Sequence, residues 1–302
     1  MTLEIIHIGF PKTATTTLQE HLFARHEGLS NIARPFSDDR KSKICTALAL
    51  GDDDEYADAV MSELVEQARS AAPRLMLYSD ETVVNSPIRA IAAKRLKGLF
   101  PEARVLAVIR NQLDAFASYY AAHGRKLRPA PEPYSGRFVS FENYVSFNHE
   151  NPKRGFLPTL HYDAILRLYG ELFDTERIHV LMFEEFQQDR PAFMTKLAEI
   201  LGIDGQEALK LVSAGHKRAR PVTSQVRYDA YRNNFLRDVP LSRIVPGSRH
   251  LKKILIRVLG NEPLEVTYPA GWDVKIADMF REGNRALRDR YDLPLEHFGY
   301  PL

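Results

Sequence analysis

Apolar runs alternate with segments of helical spacing from residue 3 to about residue 204. Leu3-Glu4-Ile5-Ile6-His7-Ile8-Gly9 is a short apolar run, the pattern of a strand buried on both faces. A Gly/Pro turn leads from it into Thr15 to Arg25, where Leu18, Leu22 and Phe23 recur at helical spacing. Asp52 to Ser70 reads as a further helix, with Tyr56, Val60, Leu64 and Val65 on one face and the acids 52–55 at its N-terminus, where negative charge is favourable. Arg74 to Tyr78 is a second apolar strand and ends in Ser79-Asp80-Glu81. Pro87 to Leu99 reads as a helix with proline in its first turn. Arg104 to Ile109 is the clearest strand, and Asn111 caps a helix running to about Ala122. Leu160 to Phe173 is helical, Arg177 to Met182 is another strand, and Arg190 to Leu201 is a helix stopped by Gly202. Strands alternating with helices predict a three-layer α/β fold, a parallel sheet covered on both faces.

Two stretches depart from this alternation. His123 to Pro158 is rich in Pro, Gly, Tyr and Asn, and its weak periodicity reads as a long functional loop. From Gly205 onward the chain reads as helical and basic, closed by a Pro-rich tail. The expected organisation is a single domain over 1–302, with a core to about 204 and a helical basic C-terminal extension over about 205–302.

Composition narrows the function classes. A chain of 302 residues, 44% apolar and 26% charged, is an ordinary globular protein, which excludes disordered and fibrous classes. One cysteine, Cys45, excludes an intramolecular disulfide and a Cys-based zinc site, and it reads as a small buried hydrophobe. Ten scattered histidines without HExxH give no metal motif. No apolar stretch nears the ~18 residues of a membrane span, and Met1-Thr2-Leu3-Glu4 has no basic leader region, so a cytoplasmic protein is expected. Net charge is +2, yet Lys217 to Arg257 holds eleven Lys/Arg against Asp229 and Asp238, a local +9 that leaves −7 elsewhere. Such asymmetry points to an anionic ligand, polymer or surface, against the plainer reading of a solvated helix face. Within it, Ile244, Leu251, Ile254, Leu255 and Val258 fall at helical spacing between Arg249, Lys252, Lys253 and Arg257, a basic amphipathic helix over 243–257 that either packs on the core with a solvated positive face or meets an anionic membrane surface or an acidic acceptor.

The strongest chemical signal is Gly9-Phe10-Pro11-Lys12-Thr13-Ala14-Thr15-Thr16-Thr17-Leu18, set between a strand and a helix. Successive backbone N–H groups and the helix dipole make such a turn an anion site, to which Lys12 adds charge and the threonines add hydroxyls. It lacks the G-x-x-x-x-G-K-[ST] order of a Walker loop. A second signal is Arg110 at the end of the 104–109 strand, followed eight residues later by Ser118. An arginine there faces the crevice where α/β folds bind ligands, and its planar fork suits phosphate. Phe116 and Tyr119-Tyr120, at helical spacing, read as core rather than as a stacking platform.

Together these segments resemble the PAPS-dependent sulfotransferases, whose fold is of the P-loop nucleotide-binding type. The first loop is similar to their 5′-phosphosulfate loop, and Arg110…Ser118 to their 3′-phosphate motif. Ile178-His179-Val180-Leu181-Met182-Phe183-Glu184-Glu185-Phe186 with Leu197 to Ile203 resembles the later part of the fold, so the likeness spans about residues 3–220. It implies that PAPS is the sulfuryl donor, with no metal, and that the acceptor is a hydroxyl on a glycan or small metabolite. It implies that Pro11, Lys12, Thr13, Ala14, Thr15, Thr16 and Thr17 hold the 5′-phosphosulfate and that Arg110 and Ser118 hold the 3′-phosphate. Lys217, Arg218 and Arg220, in His216-Lys217-Arg218-Ala219-Arg220, are expected to join them. Lys12 is expected to stabilise the departing phosphate oxygen, and Glu81 to be the base, with Asp80 and His123 as its alternatives. Ala14 replaces the family's usual glycine, so its methyl is expected to fit with φ below zero. Two rival readings stand beside this one: a P-loop kinase-like phosphotransferase, for which 75–81 imitates a Walker-B strand, and a non-enzymatic basic module binding nucleic acid or anionic membrane. Neither accounts for Arg110…Ser118, and no nucleic-acid partner is expected.

Overall fold

The structure, a computed structural model, describes residues 2–32, 39–51, 62–63, 65–67, 69–70, 74–124, 138–153, 155–215, 223–224, 226–228, 230, 262 and 264–302. Most of the expected 52–70 helix, all of 216–220 and the whole basic 243–257 segment lie outside the described residues. The chain divides into two compact units, one of residues 1–111, 159–217 and 280–302, the other of 112–158 and 218–279.

The first unit is built on a five-stranded, all-parallel sheet in the order β2-β3-β1-β4-β5. The strands are β1 (Leu3–His7), β2 (Leu29–Asn31), β3 (Leu75–Ser79), β4 (Arg104–Ile109) and β5 (Ile178–Met182). β1 is central because its side chains are apolar on both faces, as are those of β3 and β4. Ile5, Leu77, Leu106, Val108 and Leu181 point to one face, where they pack beneath Leu18, Leu22 and Phe23 and beneath the Arg190–Leu201 helix. The opposite face is covered by the Tyr162–Phe173 helix, whose Tyr162, Ile165, Leu166, Tyr169 and Phe173 are buried at helical spacing. These layers are the three-layer α/β fold that the alternation predicts.

Local chemistry explains the element ends. The Arg190–Leu201 helix starts where the Asp189 side chain accepts from Ala192 N (3.0 Å) and stops at Gly202, which takes φ 65°. Arg95, itself buried, donates to the carbonyls of Ala47, Leu48 and Gly51 and so satisfies the C-terminal end of the Asp39–Leu50 helix. Cys45 on that helix is buried, as expected of a small hydrophobe.

The second unit corrects the reading of 123–158 as an irregular loop. Phe141–Glu150 is a helix, capped by Ser140 Oγ accepting from Asn143 N (3.3 Å), and its Tyr144, Val145 and Asn148 are buried. Asn148 is satisfied there, donating to Tyr144 O and accepting from Phe156 N. The rings of Phe116, Phe141, Tyr144 and Tyr268 pack with centroids 5.0–6.5 Å apart. Phe116 and Tyr120 are buried and Tyr119 stacks on Phe156 at 3.7 Å, which makes this aromatic run core.

On the first unit, the facing ends of β1 and β3 share one buried polar contact. His7 is paired in register with Ser79, and His7 Nδ1 lies 2.8 Å from Ser79 Oγ. Gln19 Nε2 donates to the same hydroxyl (3.0 Å) and to Ser79 O (3.3 Å). Complete burial pushes the His7 imidazole down to about 3, so it is neutral at pH 7. That value lies below the unfolded chain's, so as pH falls the unfolded chain takes up the proton first. The stability due to neutral His7 is therefore full above about pH 6.5 and lost progressively between about 6.5 and 3. In urea unfolding at pH 7 and pH 5, the wild-type chain should lose about 2 kcal/mol more than a non-titrating His7→Gln variant. Equal losses would show that His7 does not titrate this way.

Candidate active site

β1, β3 and β4 end at the same edge of the sheet, so the turns that follow them start side by side. The chain runs from β1 toward the β2 edge and, after β3, crosses back to β4, which makes the β1/β4 boundary the switch point where such sheets bind ligands. The 9–18 turn and Arg110 flank it.

The turn is held open by three residues of positive φ: Gly9 at 22°, Lys12 at 72° and Ala14 at 63°. At Gly9 a side chain has no room, because a Cβ would stand 2.8 Å from Thr15 Cγ2 and 3.1 Å from His7 Cε1. Ala14 corrects the expectation of a negative φ. It is left-handed and its carbonyl accepts from Leu18 N (3.1 Å), so the turn must reverse at this residue to start the helix. Non-glycine residues in this conformation store strain, a feature of ligand-clamping loops. Alternating handedness also turns successive N–H groups into a concavity suited to an anion.

The threonines divide between two tasks. Thr13 Oγ1 donates to Phe10 O (2.6 Å), as does Thr15 Oγ1 (2.9 Å), and both side chains are buried. Their hydroxyls brace the turn from within. Thr16 and Thr17 are half-buried at the start of the helix, Pro11 is buried, and Lys12 is half-buried. The helix is α-helical over Thr15–Thr17 and then widens into π-helix over Leu18–Phe23, with Ala24 N bonding Gln19 O (3.1 Å). The wider turn buries Leu18, Gln19, Leu22 and Phe23 together, which brings Gln19 to Ser79.

Arg110 joins this turn directly. Its Nη1 donates to Lys12 O (3.2 Å), and its guanidinium lies 4.7 Å over the Phe183 ring. The Arg110 carbonyl accepts from Tyr162 Oη (2.9 Å). Next to it, Asn111 N donates to Glu184 Oε1 (2.8 Å), while Tyr300 Oη donates to Glu184 Oε2 (3.0 Å). Burial raises the Glu184 carboxyl above its ordinary range, opposed by these bonds and by the Arg110 charge. Phe183, Glu184, Tyr162 and Tyr300 were not among the expected site residues. Ile109 pairs with Met182 across the sheet, so residues 110 and 183–184 are neighbours only once the strand order is known.

Of the candidate bases, Asp80 is buried and its Oδ1 accepts from Thr82 N (2.9 Å), which caps the short Thr82–Asn85 helix. Glu81, two residues past the Ser79–His7 pair, is half-buried and its side chain makes no capping bond. His123 is exposed and Ser118 half-buried, both in the second unit. Lys217, Arg218 and Arg220 lie outside the described residues, but the chain enters that segment at Gly215, where a Cβ would stand 2.3 Å from the His21 ring. Among the described residues, no cluster of His, Cys, Asp and Glu could hold a metal ion. No helix among them is long and apolar enough to cross a membrane.

A strand-to-helix turn with positive-φ residues, tied to an arginine at the end of an adjacent strand, thus sits at the C-terminal edge of a three-layer α/β fold. The sulfotransferase-domain family model matches residues 4–238, and the chain belongs to that family. It is a transferase of the sulfotransferase type. No curated protein matches it in sequence. Among solved structures it is similar to a sulfotransferase from Alicyclobacillus acidocaldarius, at 17% identity and TM-score 0.49, covering 90% of this chain and 99% of that one. It is also similar to the sulfotransferase domain from the curacin biosynthetic pathway, at 16% and 0.46, covering 92% and 97%. Mouse sulfotransferase SULT7A1 complexed with PAP is similar at 14% and 0.39, covering 73% and 68%.

The strain at Ala14 generates a measurable expectation. Ala14→Gly removes the left-handed penalty of ~1–2 kcal/mol and adds unfolded-chain entropy of ~0.4–1 kcal/mol. Unfolding free energy should therefore rise by roughly 0.5–1 kcal/mol in denaturant titrations. A lower stability for Ala14→Gly would contradict a left-handed Ala14.

Proposed function

We propose that this chain transfers a sulfuryl group from PAPS to a hydroxyl acceptor. The observation that carries the reading is the hydrogen bond from Arg110 to the Lys12 carbonyl. It sets a guanidinium against the rim of a turn whose N–H groups suit an anion. The residues present fit such a donor: a turn with no room for a side chain at Gly9, N–H groups from left-handed reversals, and two cationic side chains. A kinase-type reading lacks the Gly-Lys-[Ser/Thr] step that would hold a metal-bound triphosphate.

Roles follow from chemistry. The backbone N–H groups of residues 13–17 hold the 5′-phosphosulfate, with Thr16 and Thr17 hydroxyls nearest to it and Thr13 and Thr15 keeping the turn's shape. Arg110 and Ser118 hold the 3′-phosphate, joined by Lys217, Arg218 and Arg220. In the transfer, the acceptor oxygen bonds to sulfur, the bond from sulfur to the phosphate oxygen breaks, and the acceptor proton passes to Glu81. The Lys12 ammonium stabilises the charge that grows on the departing oxygen, the position where fixed charge lowers a barrier most. Glu81 is preferred to Asp80 because the latter's carboxylate is committed to Thr82 N. The acceptor is a glycan or small metabolite, and the basic flank at 217–257 suits an acidic acceptor or an anionic membrane surface.

Calorimetry in the absence of Mg²⁺ tests the donor. PAP should bind more tightly than ADP, which lacks the 3′-phosphate, and Arg110→Ala should cut that preference by about 10- to 100-fold, the value of a hydrogen bond to a charged group. Equal affinity for PAP and ADP in the wild-type chain rules the reading out. Turnover tests the base: Glu81→Gln should lower kcat by about 10²–10⁴-fold while leaving PAP affinity within twofold, as loss of a general base does. Near-normal turnover would move the role to Asp80 or His123.

A further inference from the structure

Residues 296–302 form part of the structure around Arg110, although they lie far from it in sequence. The tail is anchored on the Arg281–Tyr291 helix: Asn284 Nδ2 donates to Pro301 O (2.8 Å) and Arg281 Nη1 to Leu302 O (2.8 Å). That helix packs in turn on Tyr162–Phe173, which also sends Tyr162 Oη to the Arg110 carbonyl. The tail then reaches the turn after β4 by two routes. Asn111 Nδ2 donates to Gly299 O (2.8 Å) and Phe298 O (3.3 Å). Tyr300 Oη donates to Glu184, whose other oxygen accepts from Asn111 N. Tyr300, Asn111 and Pro301 are buried.

Such an arrangement does more than fold the tail. Each route ends on the residue beside Arg110, and Phe183, the neighbour of Glu184, lies under the Arg110 guanidinium. A flexible arginine gains selectivity for a phosphate only when its backbone and its fork are both held, because ordering it on binding costs side-chain entropy. We infer that Tyr300, Glu184 and Asn111 are positioning residues that set the discrimination for a nucleotide's 3′-phosphate by fixing the turn that carries Arg110. This rests on the donor reading proposed above.

The test measures the ratio of ADP to PAP dissociation constants in the full chain by calorimetry, with thermal melting alongside. Tyr300→Phe removes one hydroxyl and should lower the ratio by about five- to tenfold through weaker PAP binding, the order of one hydrogen bond, with ADP affinity within twofold. Asn111→Ala, which keeps the backbone N–H to Glu184 and loses the Gly299 contact, should lower it similarly and supplies the test if Tyr300→Phe does not fold. Glu184→Gln keeps an acceptor for Asn111 N and an N–H for the Tyr300 oxygen, so it should hold the ratio near the wild-type value. A merely structural role would lower the melting temperature and leave the ratio alone. If the wild type discriminates and both Tyr300→Phe and Asn111→Ala retain its ratio within twofold, the inference is overturned. A wild type without discrimination overturns the donor reading beneath it.

Discussion

The parallel register of β3, β1 and β4 governs the rest of this structure. Because Ser79 lies beside His7, β1 and β3 finish at one level, while β4, whose Leu106 lies beside the same residue, runs three residues further to Ile109. Their following turns emerge at one edge of the sheet, whatever those turns contain. Three apolar strands buried on both faces hold that register through the hydrophobic effect, since a slip of one residue would turn every side chain to the wrong layer. The chemistry at the edge is thus positioned by apolar packing below it. The polar contacts there, His7 with Ser79 and Gln19 with Ser79, refine an alignment that the core already imposes.

The elements legible from sequence were those whose burial leaves a periodic trace. Arg104–Ile109 matches its expected bounds because the strand is buried, and apolar at every position, from Val105 to Ile109. β2 was missed: Leu29–Asn31 is three half-buried residues at a sheet edge, too short for any period to register. The Phe141–Glu150 helix was missed for a different reason. Its inward face carries tyrosine and asparagine, satisfied by local hydrogen bonds that composition does not announce. Leu18–Phe23 was read as helix, but its π geometry depends on the packing of Gln19 beneath the strands.

The candidate site was legible to the same degree. The anion turn and Arg110 each sit at the end of a recognisable strand, so local pattern finds them. Glu184 and Gly299 reach Asn111 from 73 and 188 positions away along the chain, and only strand order and tail docking bring them there. Ala14 shows the limit of reasoning from residue type: alanine favours negative φ, yet the reversal that starts the helix takes precedence.

The neutrality of His7 has an effect on how this protein reports on itself. An imidazole beneath such a turn is ordinarily the first group to change charge near neutrality, and it would alter the field above it. Sealed in the core, His7 contributes no such change across the range in which enzymes are assayed. The floor of the turn therefore presents a constant electrostatic background. An inflection in a rate profile near neutral pH is then not the titration of His7, and the pH axis reads groups other than this part of the scaffold.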